Sequence, residues 1–284
     1  MNKKILIYIG ITIVGIFALI GVLFVAVFIA MQFGLLNVRG SIDARNQFFL
    51  DASKANATST PPCDVREEKT CEWNKTPEWN VVSAGLRKDA EIIARVAKET
   101  GVSSRMIAAV VIPEQIRFFT SEREIFKRYF EPLKILGSLS QFSLGVSGIK
   151  SDTARSIEIY ANDEKSRFYP DEDFSSLIAY APEADREKAL YDRLTDEHNH
   201  YYSYLYTALY IREVAAHWKA AGYDVHETPE VVVTLFNIGF GGSRPKADPV
   251  AAGSPVTTGG RVYAFGQLGA DFYHSSELLD IFPR

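Results

Sequence analysis

Between Ile5 and Met31 the chain carries no charged residue, and its apolar character runs on to Leu36. At 1.5 Å rise per residue, such a run exceeds the ~20 residues that cross a bilayer as a helix. Lys3 and Lys4 precede it, which favours an amino terminus held in the cytoplasm. A cleaved signal peptide is the rival reading. Its apolar region would span only about 7–15 residues, and its cleavage site wants small residues one and three positions before the cut. Phe28-Ile29-Ala30 lacks the second of these, with Phe28 three positions before the cut. The expectation is therefore an uncleaved single-pass anchor over residues 1–36, with everything after it outside the cytoplasm.

The remaining chain is long enough for one good-sized domain with its own core. The 284 residues are 47% hydrophobic with a formal charge of −4, and no basic run stands out. This argues against nucleic acid as a partner. Residues 37–82 read as a juxtamembrane segment and linker; within them 51–62 (DASKANATSTPP) are small and polar. Cys63 and Cys71 follow, with seven residues between them and no histidine near them. A metal site would want four ligands and a thioredoxin-type motif two intervening residues. A small disulfide loop in an oxidising compartment fits best; two free thiols in a reduced one is the alternative. Trp73 and Trp79 would dock this stretch onto the domain that follows.

Residues 83–284 read as an all-α domain. Leu86, Ala90, Ile93, Val96 and Ala97 recur at helical spacing up to Gly101, and Ser103 or Ser104 can cap the next helix. Residues 122–136 read as a further helix, 137–150 (GSLSQFSLGVSGIK) break the pattern, and Ser151 or Asp152 caps another helix. Residues 162–182 look loop-like. The longest helical candidate, 185–222, contains a break. Thr228-Pro229-Glu230 starts a helix that Asn237-Ile238-Gly239 ends. Residues 261–273 read as one helix and 275–282 as a short last one; no stretch alternates like a strand. His198, His200 and His217 make a poor metal set, so neither a metal nor a cofactor is expected.

Within this frame the stretch 105–119 (RMIAAVVIPEQIRFF) is apolar except for its basic residues, a glutamine and one carboxylate, Glu114. At 100° per residue, Ile107, Glu114 and Phe118 lie within about 20° of one line, so the acid sits on the buried stripe. Burial against apolar walls favours the protonated carboxyl, which can hand a proton to a leaving oxygen. The other reading is a buried glutamate paired with Arg117, Arg105 or a backbone amide. Pro113 removes a backbone N–H and should kink or end the helix beside the acid.

The order of features resembles the lysozyme-like lytic transglycosylases and goose-type lysozymes. In that family a helix delivers one catalytic glutamate, and a G-x-x-Q-I turn follows it. Later come a tyrosine–asparagine–x–glycine helix end and a tyrosine-bearing closing helix. The corresponding segments are Ile112-Pro113-Glu114-Gln115, Gly145-Val146-Ser147-Gly148-Ile149, Phe236-Asn237-Ile238-Gly239 and Tyr263-Ala264-Phe265-Gly266. The resemblance covers roughly residues 83–273. Three departures stand out: Gly148 replaces the family's glutamine, Phe236 replaces the tyrosine, and a charged insertion lengthens the interval from Glu114 to the turn.

The resemblance implies a lysozyme-like fold behind a single N-terminal transmembrane helix, in a bacterial cytoplasmic or inner membrane. It implies peptidoglycan glycan strands as substrate, cut between N-acetylmuramic acid and N-acetylglucosamine. Glu114 would be the catalytic acid, with Asn237, Ser143, Ser147 and Tyr263 contacting sugar. Glycoside hydrolysis usually takes a second carboxylate; Glu122, Glu124, Glu131 and Asp152 are candidates by proximity in sequence alone. The lytic transglycosylase route needs only one. A non-catalytic envelope protein that grips the wall through a degenerate lysozyme-like domain is the alternative.

Overall fold

The computed structural model describes residues 71–120, 143–196 and 198–284, together with Tyr8, Thr12, Gly15, Phe17, Leu19, Gly21 and Val22. The chain divides into two compact units, Met1–Phe49 and Leu50–Arg284. In the first, those seven positions are helical and exposed, and the Thr12 hydroxyl donates to the Tyr8 carbonyl. The rest of the expected anchor lies outside the described residues. Among the described residues no helix is long and apolar enough to cross a membrane. Cys71 is buried and disulfide-bonded, while Cys63 lies outside the described residues.

The second unit is mainly helical. Helix α1 (Pro77–Lys88) begins inside the stretch read as linker. Its start is well specified: Pro77 opens the first turn, and the Thr76 hydroxyl accepts the Trp79 N–H. Trp73 and Trp79 meet each other edge to face at 4.9 Å and dock on the body at Phe272, whose ring centre is 5.9 Å from that of Trp79. Helix α2 (Ala90–Thr100) stops at Gly101, whose φ of 71° suits a left-handed C-cap. Ser103 then caps α3 (Ser104–Thr120) by accepting the Met106 N–H.

Helix α3 is the axis of the core. From Met106 to Ile112 every residue is buried. Around it pack α1, α2, α7 (Tyr201–Ala220), α8 (Pro229–Ile238) and α9 (Phe265–His274). Pro113 does not end α3, which continues to Thr120. The proline cannot bond the carbonyl four residues back, that of Ala109. Gly269 of α9 lies against that same oxygen, where a Cβ would come within 2.6 Å. The second helix thus closes on the carbonyl that the proline leaves without a helical partner.

The expectation of no strands is corrected in two places. Strands β1 (Ser143–Leu144) and β2 (Ile149–Lys150) form a small antiparallel hairpin, with Ser143 opposite Lys150. Strands β3 (Pro255–Thr258) and β4 (Arg261–Ala264) form another, with Thr258 opposite Arg261. Residues 261–273 are therefore half strand, half helix. Gly259 and Gly260 both have positive φ, 58° and 74°, which matches a two-residue type I′ hairpin turn.

Helix α4 (Ser151–Ala161) follows β2, and α5 (Ser175–Ile178) is a single turn within the expected loop. The long candidate 185–222 does break, into α6 (Arg186–Thr195) and α7. Asp196 accepts the N–H groups of His198 and Asn199, and Asn199 accepts that of Tyr201, so the break is built from side-chain turns. The expected last helix is instead a run of turns. Arg105, fully buried, donates to the carbonyls of Phe272, Tyr273, Ser275, Glu277 and Phe282. The expected helix at 122–136 lies outside the described residues.

Candidate active site

Glu114 sits in the second half of α3 with 6% of its surface exposed. One carboxylate oxygen, Oε2, accepts a short bond from the guanidinium of Arg117, one turn on. Arg105 is committed elsewhere, so of the partners weighed from sequence Arg117 is the one observed. The Arg117 guanidinium also lies 5.7 Å from the Phe265 ring centre.

The other oxygen, Oε1, meets the β1–β2 turn. Gly148 there has φ 66°, and a Cβ built on it would fall 2.5 Å from Oε1 and 2.6 Å from Cγ. Only glycine fits the contact, and glycine also tolerates the left-handed backbone. The turn is wedged from behind as well: a Cβ on Gly145 would lie 2.2 Å from the Leu194 carbonyl and the Ser203 hydroxyl. Gln115, the residue after the acid, donates its side-chain amide to the Val146 carbonyl. Helix and turn are therefore fastened at two neighbouring positions. Glycine at position 148 leaves room for the acid itself.

The remaining expected contacts divide. Ser147 is fully buried and its hydroxyl donates to the Ser203 carbonyl at 3.1 Å; it locks the turn to α7 and faces away from solvent, which corrects its expected role toward sugar. Ser143 supplies backbone pairing in β1. Asn237 lies in the last turn of α8, and its side-chain oxygen accepts the Ser254 N–H at 2.7 Å. It pins the loop before β3, and Gly239 takes the helix C-cap. What remains for a ligand is its amide NH2.

Tyr263 is buried in β4. Its hydroxyl makes no hydrogen bond of normal geometry; burial pushes the phenol up, and the groups around it are Arg261, Asp271, Glu72 and the Trp73 backbone. The residue of this segment that approaches the Glu114–Arg117 pair is Phe265. Asp152 is exposed and paired with Arg155 at 3.1 Å; Glu122, Glu124 and Glu131 lie outside the described residues.

Three buried acids escaped the sequence reading: Asp89, Glu213 and Asp271, the last accepting the Gln267 side-chain amide at 2.7 Å. Asp89 joins α1 to α2 and accepts both the His200 ring at 2.6 Å and the Tyr204 hydroxyl at 2.8 Å. Burial alone would raise its carboxyl, but these bonds outweigh it and hold it below the usual range. Glu213, in α7, is fully buried with both oxygens lacking a hydrogen-bond partner, and burial pushes it well above the usual carboxylate range. The sequence signal was a helix buried on nearly all sides that still carries one acid.

No group of three or more histidines, cysteines or carboxylates among the described residues could hold a metal. Comparison with protein-family models, curated proteins and solved structures yields no match.

Proposed function

We propose that this chain is a membrane-anchored, peptidoglycan-cleaving enzyme of lysozyme-like type, with Glu114 as its acid. The observation that supports this most is the seat of Glu114 against Gly148. A buried carboxyl lies against a glycine turn there, which brings the first two motifs of the resemblance together, and Gln115 fastens the junction.

In this reading Glu114 carries a proton to the glycosidic oxygen between N-acetylmuramic acid and N-acetylglucosamine. The C1–O bond breaks and its electron pair stays on the leaving oxygen, which keeps the proton. Glu114, now a carboxylate, takes the proton of the muramyl C6 hydroxyl, and O6 closes onto C1. The product is a 1,6-anhydro sugar, with no water consumed. Arg117 must part from Oε2 before that oxygen can hold a proton, so substrate entry has to displace the guanidinium.

A second reading, a non-catalytic envelope protein that holds the wall, is favoured by the same ion pair. A glutamate neutralised by Arg117 with little exposed surface is also what a purely structural acid looks like. The test is to incubate the full-length protein with purified sacculi and identify products by mass spectrometry. The enzyme reading expects anhydro-ended muropeptides, and Glu114→Gln lowering the rate by about 10²-fold or more. Sacculi bound but uncut by wild type would favour the second reading, and equal cutting by Glu114→Gln would remove Glu114 as the acid.

A further inference from the structure

A cavity of about 470 Å³ opens between the later turns of α4, the short α5 and the segment leading into α6. Its size falls in the range of small-ligand sites, roughly 300–1,000 Å³. Glu158, Asn162, Tyr180 and Arg186 line it, with the serines of α5. None of these belongs to the Glu114 site.

Glu158 forms one wall. Its Oε1 accepts short hydrogen bonds from the hydroxyls of Tyr180 and Tyr206, which orient the carboxylate without neutralising it. Burial, and after it the Glu158 carboxylate, push both phenols up, so they stay protonated donors. Arg193 is near but committed: it donates to the Ile178 carbonyl at 2.8 Å and to that of Ala179. Its guanidinium also stacks 3.9 Å from the centre of Tyr180 and 4.4 Å from that of Tyr202. Among the described residues Glu158 has no ion-pair partner. Asn162 donates its amide to the Glu158 backbone carbonyl at 2.7 Å, so its side-chain oxygen is the acceptor left for a ligand.

Arg186 lines the same cavity. It is exposed, its guanidinium lies 5.2 Å from the Tyr180 ring centre, and it too has no ion-pair partner among the described residues. A carboxylate and a guanidinium, neither in an ion pair among the described residues, thus line one cavity, and one tyrosine bonds the first and lies near the second.

We infer that this cavity binds an amino-acid zwitterion, its ammonium on Glu158 and the Asn162 oxygen and its carboxylate on Arg186. An ammonium is a donor with three N–H groups and suits the acceptor-rich end; a carboxylate matches the guanidinium fork. The ligand is a free amino acid or the zwitterionic end of a short peptide. The assignment stands independently of the wall-cleaving reading.

The test is calorimetric titration of the full-length protein with glycine, meso-diaminopimelic acid and a tripeptide ending in diaminopimelate. Their N-acetyl and amide derivatives serve as single-charge controls, and N-acetylglucosamine as a neutral one. Zwitterions should bind, and capping either charge should weaken binding about tenfold or more. Arg186→Ala, an exposed change that leaves the core intact, should weaken it equally, and so should Glu158→Gln, which keeps an acceptor for the tyrosines. The tripeptide binding better than the amino acids identifies a peptide source; the reverse identifies a free metabolite. No zwitterion binding up to the solubility limit, equal binding of the capped forms, or indifference to Arg186→Ala overturns the inference.

Discussion

Because Glu114 and Gly148 share one packing site, a single methyl group at position 148 reaches the acid. Alanine there would place its Cβ 2.5 Å from Oε1, on a backbone at φ 66° that L side chains rarely adopt. Either the carboxylate or the turn must shift. Gly148→Ala is expected to cost about 1–3 kcal/mol of stability in denaturant titration. Where sacculi are cut, it should lower the rate by about 10²-fold, the scale of an ångström-sized misplacement. That Glu114 is buried was legible from helical periodicity, since seven residues bring Ile107 and Glu114 to one face. The inward turn of Ser147 was not. Which way a turn serine points depends on what lies behind the hairpin, here the Ser203 carbonyl, 56 residues away in sequence. Tyr263 misled for a similar reason: its chain neighbour Phe265, across the strand–helix junction, is the ring that nears Arg117.

At the scale of elements, helix ends were readable where turn chemistry and apolar spacing agreed, as at Gly101 and at Thr228-Pro229, whereas the start at Thr76-Pro77 lay hidden in a stretch read as linker. The β3–β4 hairpin carried a legible signal that helical patterning obscured. Thr-Thr-Gly-Gly-Arg-Val is a Gly-Gly turn between β-branched residues, yet alanine and glycine after it suggested a continuous helix. The end of the chain was illegible because its organiser is far off in sequence. Arg105 gathers five carbonyls from Phe272 to Phe282 and lies 4.6 Å from the Phe272 ring centre. Burial pushes its guanidinium down to about 10, still charged at neutral pH. Lysine keeps the charge but has three donors on one nitrogen and no planar fork. Arg105→Lys should therefore destabilise the protein by about 3 kcal/mol or more, since several buried carbonyls lose their partner. Hydrogen exchange should localise the loosening to residues 275–282. Exchange rising evenly over all helices would show that Arg105 supports the whole core instead.

Across the whole helical body two of the missed acids, Asp89 and Glu213, act on stability from opposite sides of the pH scale. Asp89 has a folded value below its unfolded 3.8. Its contribution is present above that value and lost as pH falls through the folded one. Glu213 has a folded value well above its unfolded 4.5. Below about 4.5 both states hold the proton and no penalty arises; as pH climbs, the unfolded chain releases it and the folded one cannot, so stability falls. Tyr210, fully buried one turn away, is pushed up as well and stays neutral, and it offers no cation. Glu213→Gln keeps the shape and removes the titration. The stability of wild type relative to this variant should decline steadily from about pH 4.5 upward in denaturant titrations, while the acid limb set by Asp89 stays in place. A constant difference across that range would mean that Glu213 finds a charge partner in solution. The same α7 helix brings Tyr204 to Asp89, Tyr206 to Glu158 and Ser203 to the Gly145 turn, so loosening it with alkali should disturb the zwitterion cavity and the Glu114 turn together.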